Sequence, residues 1–90
     1  MRDAIDIIDR QLVELLAERL RLVMKVGEIK RAHHLTVYDA ERERDLFERV
    51  SRAAPSPLTP DMAQRIFECI IHESRSLEQR HVQTLAEGEE

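Results

Sequence analysis

A 3-4 apolar repeat runs along the first third of the chain with no proline to interrupt it: Ile5, Ile8, Leu12 and Leu15, then Leu22, Val26 and Ile29. That spacing gathers one apolar stripe on one face of a helix, and the stripe needs another helix to cover it. The beat between Leu15 and Leu22 falls on Arg19. A guanidinium does not lose its proton, and burying one without a partner is costly. The face therefore either pairs Arg19 with an acidic side chain or receives an anion from outside.

Composition narrows the fold to helices. Charged residues make up 36% of the chain, with two Gly, three Pro and no Trp, which suits long helices rather than many short strands. Ninety residues make one domain or one subunit, and alone a chain of this size buries only about 60–65% of the surface its unfolded form exposes. The net charge of −4, with both signs interspersed, argues against nucleic acid as a partner. No apolar run is long enough to span a membrane, and no signal-peptide pattern precedes the first helix, so a cytoplasmic protein is expected. Cys69 stands alone, which excludes an intrachain disulfide; in its apolar helical stretch it is expected to be a buried, inert thiol.

Three helices are expected, over residues 3–33, 40–53 and 60–83, with residues 86–90 a frayed acidic tail. Asp39 is a good N-cap for the second, and Thr59-Pro60-Asp61 is a strong start for the third. Gly27 costs the first helix about 1 kcal/mol relative to Ala; it either admits another backbone or a ligand, or is simply tolerated. The first helix is about twice as long as the second, so one chain cannot cover its seam from end to end. A dimer of three-helix chains follows as the expectation.

Further polar residues interrupt the apolar faces. Lys30 lies eleven residues after Arg19, so the two leave the same face about 16 Å apart along the axis and can close on one small anion. Ser74 and Glu78 break the stripe of the third helix, and Asp39, Arg42 and Glu43 open the second. Each has an ordinary reading: an ion pair for Arg19, a solvated helix end for Lys30, a bond to the preceding turn for Ser74, a plain cap for Asp39, surface carboxylates for Glu43 and Glu78. Spacing alone supports an anion-binding helical dimer. Metal chemistry has no constellation to support it, since His33 and His34 are adjacent and His72 and His81 stand nine apart. No Gly-rich phosphate loop and no nucleophile elbow occur.

Taken together, the polar and apolar positions form an ordered set: Arg2, Ile5-Asp6, Asp9, Leu15, Glu18-Arg19, Val26, Lys30, Asp39, Arg42-Glu43, Ile66-Phe67, Ile70-Ile71 and Ser74. The set resembles the all-helical chorismate mutases, including the mutase domains found fused to prephenate dehydratase, over residues 2 to about 80. The combination is what is specific: R-x2-I-D-x2-D, then E-R, a lysine eleven residues beyond that arginine, then D-x2-R-E. The resemblance implies an intertwined all-helical homodimer. It implies conversion of chorismate to prephenate in phenylalanine and tyrosine biosynthesis, without cofactor or metal.

Carried over by position, Arg19 grips one substrate carboxylate, and Arg2 of the opposite subunit grips another. Arg2 lies seventeen residues from Arg19, about 25 Å along one helix, too far to share a small ligand within one chain. Lys30 meets a carboxylate and the ether oxygen. Glu43 and the backbone near Asp39 hold the ring hydroxyl. Arg42 supports the site by ion pairing, Ser74 meets a carboxylate, and Val26 and Ile71 are apolar walls.

Two departures stand out. The family often has Gln where this chain has Glu78, and an ionised carboxylate repels the ether oxygen, so Glu78 must carry a proton to help; burial of a carboxyl favours that form. Gln79 is one residue off and points about 100° away on a helix. Arg2 follows Met1 directly, in a first turn that frays unless a partner subunit clamps it. The alternatives are a non-enzymatic helical dimerisation or regulatory module, and an isochorismate pyruvate lyase of the same fold; the D-x2-R-E beginning at Asp39 favours the mutase. So short a chain leaves no room for a separate regulatory domain, so intrinsic feedback inhibition is not expected.

Overall fold

The computed structural model describes residues 1–88, all of whose regular structure is helical. The order is α1 (Arg2–Ala32), α2 (Ala40–Ala53) and α3 (Pro60–Gly88). None of these helices is long and apolar enough to cross a membrane. Helix α1 carries Asp3 in its first turn and Lys30 and Arg31 in its last, charges that complement its dipole. Its end is a Schellman turn: Leu35 N–H donates to the carbonyl of Lys30 at 2.7 Å and His34 N–H to that of Arg31 at 3.1 Å. His34 holds the left-handed position with φ 57°, where glycine is usual.

Asp39 caps α2 as expected, its carboxylate accepting from the Arg42 amide at 3.1 Å. Thr59 caps α3, its hydroxyl accepting from the Met62 amide at 3.2 Å. Helix α3 does not stop near Gln83 but continues to Gly88. Residues 86–88, expected in a frayed tail, are therefore its last turn, because nothing before Gly88 breaks the helix. The rest of that acidic tail, Glu89 and Glu90, lies outside the described residues.

Helix α3 packs against both α1 and α2, while α1 and α2 do not pack on each other. The result is elongated, 53 × 30 × 15 Å, with a radius of gyration of 15.7 Å; a compact chain of this length has about 12 Å. Ala63 and Ile71 are the buried apolar side chains among the described residues, joined by Gly27 and by the polar Ser74 and Glu78. The N-terminal seam of α1 has no cover among the described residues: Ile5 is 54% exposed, Leu12 52% and Leu15 60%. Cys69 is also exposed rather than buried. It lies on the side of α3 away from the stripe that runs through Ala63, Ile71, Ser74 and Glu78.

Candidate functional site

Where the three helices converge they enclose a cavity of about 250 Å³. Helix α1 contributes Arg19, Val26 and Lys30, the loop contributes Val37 and Asp39, α2 contributes Arg42, Glu43 and Leu46, and α3 contributes Ile71, Ser74, Arg75 and Glu78. All the candidate residues except Arg2 therefore come together. Arg2 is exposed at the other end of α1 and does not line the cavity.

Arg19 has no acidic partner among the described residues. Its Nη1 donates to the Ser74 hydroxyl at 2.6 Å, and no carboxylate among the described residues forms an ion pair with it. Burial lowers its pKa from the ordinary arginine value, and the positive charge of Arg42 lowers it further. Arginine still stays protonated at working pH, so the half-buried cation lines the cavity with its charge unmatched. Ser74 does what a helical serine usually does, donating to the Ile70 carbonyl at 2.6 Å. Its single proton is thus committed, and its lone pairs hold Arg19 in place.

Lys30 donates to the Val37 carbonyl at 2.8 Å and to Glu78 Oε2 at 3.2 Å. An ammonium has three donors, so one is left over. The Schellman turn at His34 swings the chain back so that the Val37 carbonyl meets Lys30. Glu78 is 7% exposed, and Gly27 makes room for it: a Cβ on Gly27 would stand 2.8 Å from Glu78 Cγ and 3.2 Å from Val82 Cγ2. Of the two readings of that glycine, close approach is the one the structure shows, with the approaching group a side chain of α3. The Glu78 carboxyl pairs with Lys30 across α1 and α3. Gln79 is exposed, so Glu78 is the residue of the pair at the cavity.

Glu43 is held by an arginine that the sequence reading passed over. Arg75 donates from Nε to Glu43 Oε2 at 3.1 Å and from Nη2 to Oε1. The Arg75 guanidinium also lies over the Tyr38 ring, 4.5 Å from its centroid. The signal for Arg75 was present, since it stands four residues after Ile71 and three before Glu78 on the same face of α3. The expectation that Arg42 forms the supporting ion pair is corrected. Arg42 has no carboxylate partner among the described residues, because Arg75 has taken Glu43 and the Asp39 carboxylate is spent on the cap. Beyond the cavity, His81 Nε2 and Glu28 Oε1 meet at 2.8 Å and tie α1 to α3.

Residues 1–79 match the family model for chorismate mutase type II, and the chain belongs to that family. It is 37% identical over 79 residues to the T-protein of Enterobacter agglomerans, which covers 87% of this chain and 21% of that protein. It is 37% identical over 87 residues to the bifunctional chorismate mutase/prephenate dehydratase of Escherichia coli K12, covering 91% of this chain and 22% of that protein. The chain thus spans about a fifth of the length of these curated relatives. Among solved structures, chorismate mutase (form II) from Thermus thermophilus superposes with a TM-score of 0.85 at 30% identity, covering 88% of this chain and 90% of that one. Chorismate mutase from Helicobacter pylori in complex with prephenate shares the fold, with a TM-score of 0.83 at 24% identity over 91% of this chain and 89% of that one.

Proposed function

We propose that this chain is a chorismate mutase, converting chorismate to prephenate, and that it acts as a homodimer. The observation that carries the reading is Arg19: a half-buried guanidinium that lines the cavity and pairs with no carboxylate among the described residues. Such a charge is costly to keep unless a ligand supplies the anion, and chorismate brings two carboxylates. Arg19 grips one of them, helped by the exposed charge of Arg42. The spare donor of Lys30 reaches a carboxylate and the ether oxygen. Glu43 accepts from the ring hydroxyl, and Val26 and Ile71 press on the carbon skeleton.

The reaction is a pericyclic shift in which the ether C–O bond breaks as a C–C bond forms between the enolpyruvyl methylene and the ring, and no proton or electron passes to the enzyme. What accelerates it is a compact conformer held on rigid helices and donors placed where charge develops on the oxygen. Lys30 is one such donor. Glu78 becomes another when it holds a proton, once substrate draws Lys30 toward itself. Arg2 comes from a second copy, whose α1 covers the open seam of the first and brings its N-terminus to the neighbour's cavity.

The test is a direct assay of the purified protein for loss of chorismate and appearance of prephenate. Prephenate formation is expected. Pyruvate as the product would make the chain a lyase, and no turnover would leave it a dimerisation module; either sinks the proposal.

A further inference from the structure

Seven ionisable side chains line the cavity; Asp39 caps α2, and the proposed function assigns work to the other six except Arg75. Its fork occupies both oxygens of Glu43, a geometry that fixes the plane of the carboxylate as well as its charge. The guanidinium is itself fixed from the other side by the Tyr38 ring. The pair spans α2 and α3, with side chains 33% and 21% exposed, so it is neither a loose surface bridge nor a sealed core pair.

We infer that Arg75 is a positioning residue, which sets Glu43 to accept the substrate's ring hydroxyl and so makes the enzyme selective for the hydroxylated ring. The inference rests on the proposed function. A carboxylate oxygen has two lone pairs, and a bidentate arginine uses one on each oxygen. The others stay available in a fixed direction, which is what a single neutral donor needs.

Charge gives a second reason. Four cations, Arg19, Lys30, Arg42 and Arg75, face three carboxylates, Asp39, Glu43 and Glu78. A dicarboxylate entering this site meets a repulsive Glu43 unless Arg75 is there to neutralise it. Sequence spacing fits the same role, because Arg75 neighbours Ser74, the anchor of Arg19, on one turn of α3. One short stretch of helix thereby orients both a cation for the carboxylate and an acceptor for the hydroxyl.

The experiment compares two substrates, chorismate and the same ring diacid without the hydroxyl, by kcat/KM. Wild type should prefer the hydroxylated compound. Arg75→Ala should shrink that preference by about ten- to a hundredfold, the worth of one hydrogen bond to a charged group. Most of the change should fall on KM for chorismate. Arg75→Lys keeps the charge but not the fork, and should sit between the two. Adding Arg75→Ala to Glu43→Gln should cost little more, since both remove the same contact. Should Arg75→Ala fail to fold, Arg75→Lys and Tyr38→Leu are read by the same ratio. A preference unchanged in these variants overturns the inference, whether Arg75 proves a direct carboxylate ligand or a stabilising bridge, because either role weakens both substrates alike. A wild type that turns over neither compound sinks the proposed function instead.

Discussion

The two halves of α1 are built from the same repeat and meet different fates. From Ile5 to Leu15 the seam is apolar at every beat, and nothing among the described residues covers it. From Arg19 to Lys30 the same face carries two cations and a glycine, and α3 lies against it. The half with the better hydrophobic pattern is the exposed one. The half with the flawed pattern borders the cavity. An apolar stripe with no cover stores its stabilisation for a partner, whereas the polar interruptions are tolerated because α3 meets each of them: Ser74 meets Arg19, and Glu78 meets Lys30. On the proposed function, association and chemistry are separated along one helix, and substitutions in the two halves should fail in different ways.

The largest effect is expected at Arg19. Arg19→Ala should lower kcat/KM by about a thousandfold, within the range for truncating one partner of a buried charge pair, while circular dichroism and the size of the assembly stay as in wild type. Arg19→Lys should also be severe, because lysine offers no bidentate contact. The two halves can be joined in one measurement. Arg2→Ala and Arg19→Ala chains are each expected to be nearly inactive alone. If Arg2 serves the neighbour's cavity, a mixed dimer has one site lacking both arginines and one site intact. Random pairing of equal amounts makes half the dimers mixed, so about a quarter of wild-type turnover should return on mixing. No recovery in dimers shown to have exchanged would place Arg2 outside the site or within its own chain's site.

The N-terminal half should fail by assembly. Leu12→Ala removes a side chain that is exposed in one chain and buried by its partner in the proposed dimer, so it should cost about 2–5 kcal/mol of dimer stability. Melting should become more dependent on protein concentration, and activity at high concentration should be nearly normal. If Leu12→Ala instead melts like wild type at every concentration, the seam has no partner and the contrast between the halves is wrong.

Gly27 tests the other half by packing alone. Alanine is the better helix former by about 1 kcal/mol. Its Cβ would stand 2.8 Å from Glu78 Cγ, however, and overpacking of this kind costs about 1–3 kcal/mol. Gly27→Ala should therefore lower the melting temperature by a few degrees and lower activity more than stability, because the atom displaced belongs to Glu78. A stabilised, fully active variant would mean that the glycine is merely tolerated.

How far all this could be read from the sequence depended on what carries each contact. The seam, the missing beat and the shared face of Arg19 and Lys30 followed from helical periodicity, because each acts through a side chain whose direction the helix dictates; that Glu43, Ser74 and Glu78 join them was what the family resemblance implied, since spacing within one helix does not say which helices meet. The Val37 carbonyl that holds Lys30 could not be read that way, since every residue has a carbonyl and only the turn at His34 aims this one. That turn was itself hidden, for histidine at a left-handed position carries no signal comparable to glycine. Arg75 was legible and passed over. Its spacing from Ile71 and Glu78 put it on the active face, but an arginine beside a seam reads as solvated until a partner is seen. The end of α3 was set too early because nothing between Gln83 and Gly88 breaks a helix.

The smallest effect is expected at Glu78, which pairs with Lys30 at 3.2 Å. On the proposed function Lys30 reaches a carboxylate and the ether oxygen, and an ionised carboxylate beside that oxygen would repel it. Glu78→Gln removes the negative charge and supplies an amide donor of nearly the same shape. Its kcat/KM should therefore stay within a few fold of wild type, while Glu78→Ala, which supplies no donor, should lose more. If Glu78→Gln falls as far as Glu78→Ala, the carboxylate itself is what the site needs. The ion pair with Lys30 would then be the lasting role of Glu78, and the polar residues of the second half of α1 would be serving position more than chemistry.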